Sequence, residues 1–169
     1  MVILKPINLL IVEDCFELAN VYQGYLIHKN YKVTHIDNGA SALISIEKVL
    51  PDVLLLDLVL PDIGGHEILE YLSEKKLPIP VVVMTAHGSV KTAVKAMQPG
   101  ASDFLTKPFD AKRLDITLRN VLKHQTLQLY SLRVKAVLEK KFVQKLFIIT
   151  VHVKKNHLSR LIAQQYQKI

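Results

Sequence analysis

Five apolar runs alternate with helical patterns along most of this chain, and that alternation narrows the folds open to it. The runs are INLLIVED (7–14), KVTHID (32–37), DVLLLDL (52–58), IPVVVMTA (79–86) and SDFLTKP (102–108). Between them, apolar residues recur at helical spacing: Phe16, Ala19, Val21 and Leu26; then Ala42, Leu43, Ile46, Val49 and Leu50; then Ile68, Leu69 and Leu72; then Val90, Ala93, Val94 and Met97; and last Leu114, Leu118, Val121 and Leu122. Strands this apolar cannot leave one face in water, so the pattern predicts an α/β layer: a parallel sheet with helices on both faces. Turn residues fall where this reading needs them. Asn38-Gly39, Gly64-Gly65 and His87-Gly88-Ser89 precede the second, third and fourth helices, and Pro99-Gly100 stops the fourth.

Within VLLLDLVLPD, residues 53–62, a single carboxylate interrupts the most apolar run of the chain. Burying an unpaired carboxylate costs several kcal/mol or forces it to take up a proton, so Asp57 belongs where its strand emerges, with a partner or a task. Ligands of such sheets bind at the carboxyl ends of the strands. The residues ending the other runs there are Glu13, Asp14, Thr85 and Lys107 followed by Pro108. Polar residues cap most strands, but four of the five here end in groups that suit a metal and a phosphoryl group. Oxygen-only ligands with room for water and phosphate suit Mg²⁺, which would sit among Glu13, Asp14 and Asp57. Asp57 is then the nucleophile towards phosphorus, with the metal offsetting the developing charge. Lys107 would bind one phosphoryl oxygen and the Thr85 hydroxyl another. Lys107-Pro108 is a candidate cis peptide.

The bulk properties suit one domain plus an appendage, because 169 residues build one well-buried core but not two of ordinary size. The lone Cys15 excludes an internal disulfide and a cysteine-based metal site, in keeping with a reducing cytoplasm. The first residues do not form a secretory signal, and no apolar stretch is long enough to span a membrane, so a cytoplasmic protein is expected. Residues 1–124 carry 13 Lys or Arg against 14 Asp or Glu, whereas 125–169 carry nine basic residues against Glu139 alone. The expected organisation is a domain over 1–124 and a basic tail over 125–169 without a domain of its own.

The segments LLIVED, LLLDLVLPDIGG, VVVMTAHGS and GASDFLTKPF, in this order and spacing, resemble the receiver domain of bacterial two-component response regulators over about residues 7 to 123. The resemblance implies a flavodoxin-like (CheY-like), doubly wound five-stranded parallel sheet of order 2-1-3-4-5. It implies phosphorylation of Asp57 by a histidine kinase or histidine phosphotransferase, and Mg²⁺ at Asp14 and Asp57 with the Val59 backbone carbonyl. It also implies a conformational switch through Thr85 and Phe104, and a possible homodimer through the fourth helix, fifth strand and fifth helix. Residues 84–109 are most similar to receivers of sigma-54-dependent activators of the NtrC and LuxO type, which points to nutrient or cell-density (quorum-sensing) signalling. Pro99 departs from the polar or basic residue common in relatives.

Activators of that type continue into an ATPase domain and a DNA-binding helix-turn-helix, whereas the tail here has no G-x-x-x-x-G-K loop. Back-translated with permitted codons and read one nucleotide earlier, residues 134–169 become GESGTGKEVCAEAIHHYS, one undetermined residue, then RQKKPFIALNCAAIPKD. This resembles the phosphate-binding loop of the ATPase domain and the segment after it. A leucine codon TTA, where relatives continue with Leu-Ile, would place a stop directly after Ile169. The expectation is a truncated, frameshifted descendant of such an activator, lacking ATPase and DNA-binding output, with part of the region between receiver and ATPase also missing. Sequencing the encoding DNA tests it. Direct nucleic-acid binding is then not expected of the tail's charge, nor metal binding of His152 and His157.

Two other functional classes compete. A phosphatase with an aspartyl nucleophile, as in the haloacid dehalogenase group, usually has a second Asp two residues after the first, where Val59 stands here, so an acid and base for turnover is missing. A basic DNA-binding protein would use the tail, but no Gly-turned helix pair or aromatic-basic interleaving supports it. A phosphoacceptor that is not an enzyme in the ordinary sense is the expected function.

Overall fold

The structure, a computed structural model, describes the backbone of residues 5–86 and 100–166, with side chains up to residue 141 in the last helix. The fourth predicted helix, over residues 90–97, and Pro99 lie outside the described residues. In chain order the elements are β1 (Ile7–Val12), α1 (Phe16–Leu26), β2 (Tyr31–Ile36), α2 (Gly39–Lys48), β3 (Val53–Asp57), α3 (Gly65–Glu74), β4 (Val81–Thr85), β5 (Asp103–Thr106) and α4 (Ala111–Tyr166). The five strands form one sheet of order β2-β1-β3-β4-β5, every pair parallel.

Every residue of β3 and β4 is buried, because helices cover both faces of the central strands. Alternation of side chains across each strand divides the core in two. Leu10, Val12, Leu54, Leu56, Val81 and Val83 pack on one face with Ala42 and Ile46 of α2 and Ile68, Leu69 and Leu72 of α3. Leu9, Ile11, Val53, Leu55, Val82 and Met84 pack on the other with Tyr22 and Leu26 of α1 and Leu114, Leu118 and Val121 of α4. Each fully buried leucine contributes about 1.5–3 kcal/mol, so the two layers outweigh any local propensity in deciding the fold.

Two details differ from the sequence reading. In α1, Phe16 and Val21 are 63% and 44% exposed, and Tyr22 is buried instead. The inward face is Ala19, Tyr22 and Leu26, an i, i+3, i+7 stripe, and Phe16 and Val21 lie off it. Val49 and Leu50 are exposed as well, because α2 ends at Lys48 and Val49 is already extended.

The start of α4 is tied to the α1–β2 turn through Asp115, which pairs with Lys29 at 2.8 Å and Arg119 at 2.9 Å. Burial pushes the Asp115 carboxyl up, but the two cations outweigh it and hold it below its ordinary value. A carboxyl depressed on folding stabilises the fold above its unfolded pKa, about 3.9, and this contribution is lost as pH falls through the folded value. Urea midpoints of the native chain and Asp115→Asn are therefore expected to differ at pH 7 and to converge as pH is lowered below about 4. A gap unchanged between pH 7 and pH 3 would refute the assignment.

Two compact units divide at Gln125, Met1–Gln125 and Thr126–Ile169. The second is helical to Tyr166, since neither Gly nor Pro occurs after Pro108 to stop it, and its described side chains, residues 126–141, are all exposed. Among the described residues, no helix is long and apolar enough to cross a membrane.

Candidate functional site

The carboxyl ends of β1, β3, β4 and β5 meet at one edge of the sheet, and the predicted site residues meet with them. Asp57 is the last residue of β3 and is 7% exposed. Glu13, just past β1, is buried and held by its own amide donating to the Ile36 carbonyl at 3.1 Å, while Asp14 beside it faces solvent. Lys107 follows β5, its amide donating to the Thr85 carbonyl at 2.8 Å, and the Lys107–Pro108 peptide is cis. Its ammonium donates to Glu13 Oε2 at 2.5 Å and to Asp57 Oδ2 at 2.6 Å.

One ligand oxygen from each of Glu13, Asp14 and Asp57 lies within 4.8 Å of the others. Three carboxylates against one ammonium leave an excess of two negative charges, which a small divalent cation with oxygen ligands would offset. The donor set therefore fits magnesium. Burial, reinforced by Asp57 and Asp14, raises the Glu13 carboxyl above its ordinary value even though Lys107 opposes the shift. Burial also pulls Lys107 down, but its bonds to Asp57 and Glu13 prevail and raise it, so the amine stays charged.

Both oxygens of Asp57 are positioned: Oδ2 by Lys107, and Oδ1 by the Val59 amide at 3.1 Å. A carboxylate bonded at both oxygens is held in one orientation. Val59 itself is 75% exposed beside it. Thr85 is buried at the end of β4, next to Met84, which pairs with Asp57 in the sheet register. Phe104 is half-buried on β5 and packs against the core beneath α2 and α3.

Three contributors to this edge were not legible in the sequence. Tyr22, on the buried face of α1, stacks on Phe109, which follows the Lys107–Pro108 peptide, with ring centroids 4.7 Å apart. Burial pushes the Tyr22 hydroxyl up to about 12. Nothing in the sequence separates it from a core aromatic. Asp62, in the loop after β3, accepts bonds from the first turn of α2. Gly65 allows α3 to touch the backbone of Asp57, because a Cβ there would lie 2.4 Å from the Asp57 carbonyl oxygen. Near this edge, Cys15 donates to Glu17 at 3.3 Å, and His87 is outside the described residues.

A doubly wound sheet with this acidic edge is the architecture of the receiver domains, and the sequence matches the response regulator receiver domain family over residues 9–119. The chain belongs to that family. Among curated relatives it is 44% identical over 112 residues to the regulatory protein LuxO of Vibrio cholerae, covering 66% of this chain and 25% of that protein. It is 35% identical over 123 residues to the transcriptional regulatory protein ZraR of Klebsiella oxytoca, covering 73% and 28%. The matches thus span about a quarter of the length of these relatives. Among solved structures, the signal receiver domain of a LuxO repressor protein from Vibrio parahaemolyticus superposes with a TM-score of 0.70 at 38% identity, covering 73% of this chain and 95% of that one. NtrX from Brucella abortus gives 0.69 at 29% identity, covering 73% and 28%. Receiver domains are phosphoacceptors in phosphorelay signalling: they bind magnesium at an acidic cluster and partner with histidine kinases or phosphotransferases.

Proposed function

We propose that Asp57 is the phosphoacceptor of this chain. The observation that carries this is the pair of bonds that hold its carboxylate, from Lys107 and from the Val59 amide, inside a cluster of three acids. In the transfer, a carboxylate oxygen of Asp57 bonds to phosphorus while the phosphorus–nitrogen bond of a phosphohistidine breaks and the imidazole leaves with a proton. Glu13, Asp14, Asp57 and the Val59 carbonyl would hold magnesium, which supplies positive charge for the phosphoryl oxygens. Lys107 turns from the free Asp57 carboxylate to a phosphoryl oxygen, at little cost, because the ammonium keeps Glu13 as its second partner. The Thr85 hydroxyl bonds another phosphoryl oxygen, and the half-buried Phe104 ring follows it inward, which changes the outer face of β5 and α4. The reading includes a cytoplasmic setting, a histidine kinase or phosphotransferase as donor in a nutrient or cell-density relay, and a homodimer through the fourth helix expected from the sequence, the fifth strand and the last helix.

Acetyl phosphate or phosphoramidate with Mg²⁺ is expected to place one phosphoryl group on each chain, and chelation with EDTA to prevent it. Continuous release of phosphate would favour an aspartyl phosphatase instead. A steeply salt-dependent mobility shift of DNA would favour a nucleic-acid role for the tail.

A further inference from the structure

The loop from β3 to α3 carries Val59, and it is pinned by the close backbone approach of Gly65 and by the Asp62 carboxylate. At its far end Gly65 lies against the Asp57 backbone and donates its amide to the Leu58 carbonyl at 3.0 Å. In its middle, the Asp62 carboxylate crosses to a different element: Oδ1 accepts from the Gly39 amide at 2.7 Å and Oδ2 from the Ala40 amide at 2.8 Å. These are orphan donors of the first turn of α2, so the anion also meets the positive end of that helix. The approach is close because residue 39 has no side chain; a Cβ there would lie 2.4 Å from the Ile63 carbonyl oxygen. The amides of Ala40 and Gly39 hold the Asp62 carboxyl below its ordinary value, so it stays ionised at neutral pH.

We propose that Asp62 is a positioning residue for the metal site: by tying the β3–α3 loop to the first turn of α2, it fixes the Val59 backbone against Asp57. Val59 and Asp62 are three residues apart in one loop, and no regular structure lies between them to carry the constraint otherwise. With the tether cut, the loop keeps its ends but gains freedom where the Val59 carbonyl would face the ion. Groups that orient a ligand from behind in this way typically affect metal affinity by about 10–100-fold. This inference rests on the reading of Glu13, Asp14 and Asp57 as a magnesium site.

Titration of the full chain with Mn²⁺, followed by the electron paramagnetic resonance signal of the free ion, separates the two. Asp62→Ala is expected to raise the half-saturation concentration about tenfold. Asp62→Asn keeps one acceptor oxygen and should fall between the two. Asn38→Ala is the control, since Asn38 caps the same helix by accepting from Ser41 at 2.8 Å but has no bond to the loop; it should leave the half-saturation unchanged. In labelling with acetyl phosphate, Asp62→Ala should require more Mg²⁺ yet reach the native rate at saturation. Melting curves establish which variants are folded, and Asp62→Asn carries the test if Asp62→Ala is not. Native affinity in a folded Asp62 variant, or an equal loss in Asn38→Ala, would overturn the role of Asp62 alone. Failure of the native chain to bind Mn²⁺ would overturn the metal site and the inference with it.

Discussion

Asp57→Asn is expected to reduce phosphoryl labelling to background while leaving the chain folded. An amide nitrogen and neutral carbonyl oxygen offer no anionic nucleophile, so no carboxylate oxygen is left on which the acyl phosphate can form. The fold should tolerate the change for an electrostatic reason. Asp57 contributes one of three clustered negative charges, and Lys107 retains its 2.5 Å bond to Glu13 when the Asp57 charge is removed. Like-charge repulsion falls, which offsets the lost ion pair. Intact-mass spectrometry after acetyl phosphate treatment, alongside a thermal melt, checks both halves. Label persisting on the variant would mean that Glu13 or Asp14 is the acceptor and that Asp57 has another role.

Gly65→Ala is expected to be among the most damaging single changes, at about 3 kcal/mol of stability, the upper end of the usual overpacking range. The added Cβ would meet the Asp57 carbonyl oxygen at 2.4 Å and the Leu58 Cα at 2.7 Å. Both are backbone atoms at the end of a fully buried central strand, so neither can swing aside as a flexible side chain would. Any relief would come from moving Asp57, and labelling should fall along with stability if Asp57 is the acceptor proposed above. Gly24→Ala is the contrast. It lies within α1 with nothing within 4 Å of its Cβ position, and alanine there should stabilise by about 0.5–1 kcal/mol because it removes backbone freedom from the unfolded chain. Urea denaturation of the two variants measures the difference; equal midpoints would refute the cost assigned to a side chain at Gly65.

The legible and illegible parts of this molecule follow the range over which each interaction acts. β3 and β4 were readable because helices on both faces require an uninterrupted apolar run, and that requirement is written in consecutive residues. The site was partly readable for a related reason: strand ends share one edge in a parallel sheet, so Asp14, Asp57, Thr85 and Lys107 could be grouped before any distance was known. Helix phase was less legible. In α1, Phe16 and Val21 look as suitable for the core as Tyr22, and only packing against the sheet selects among them. The tail, with its amphipathic-looking KAVLEKKFVQKLF, was assigned no structure from its sequence, whereas the absence of Gly and Pro was enough to let a helix form.

The alternation of apolar strands and helices determined the class of sheet, the edge that would carry the chemistry, and the acids and amine placed there, because each depends on covalent order and a short-range period. The tertiary structure alone decided that Lys107 joins Glu13 to Asp57, that Asp62 reaches from the loop after β3 to α2, and that Gly39 and Gly65 stand where no side chain fits. Those contacts join residues 22 to 94 positions apart or depend on how two backbones meet, and such distances are set only when the whole sheet closes.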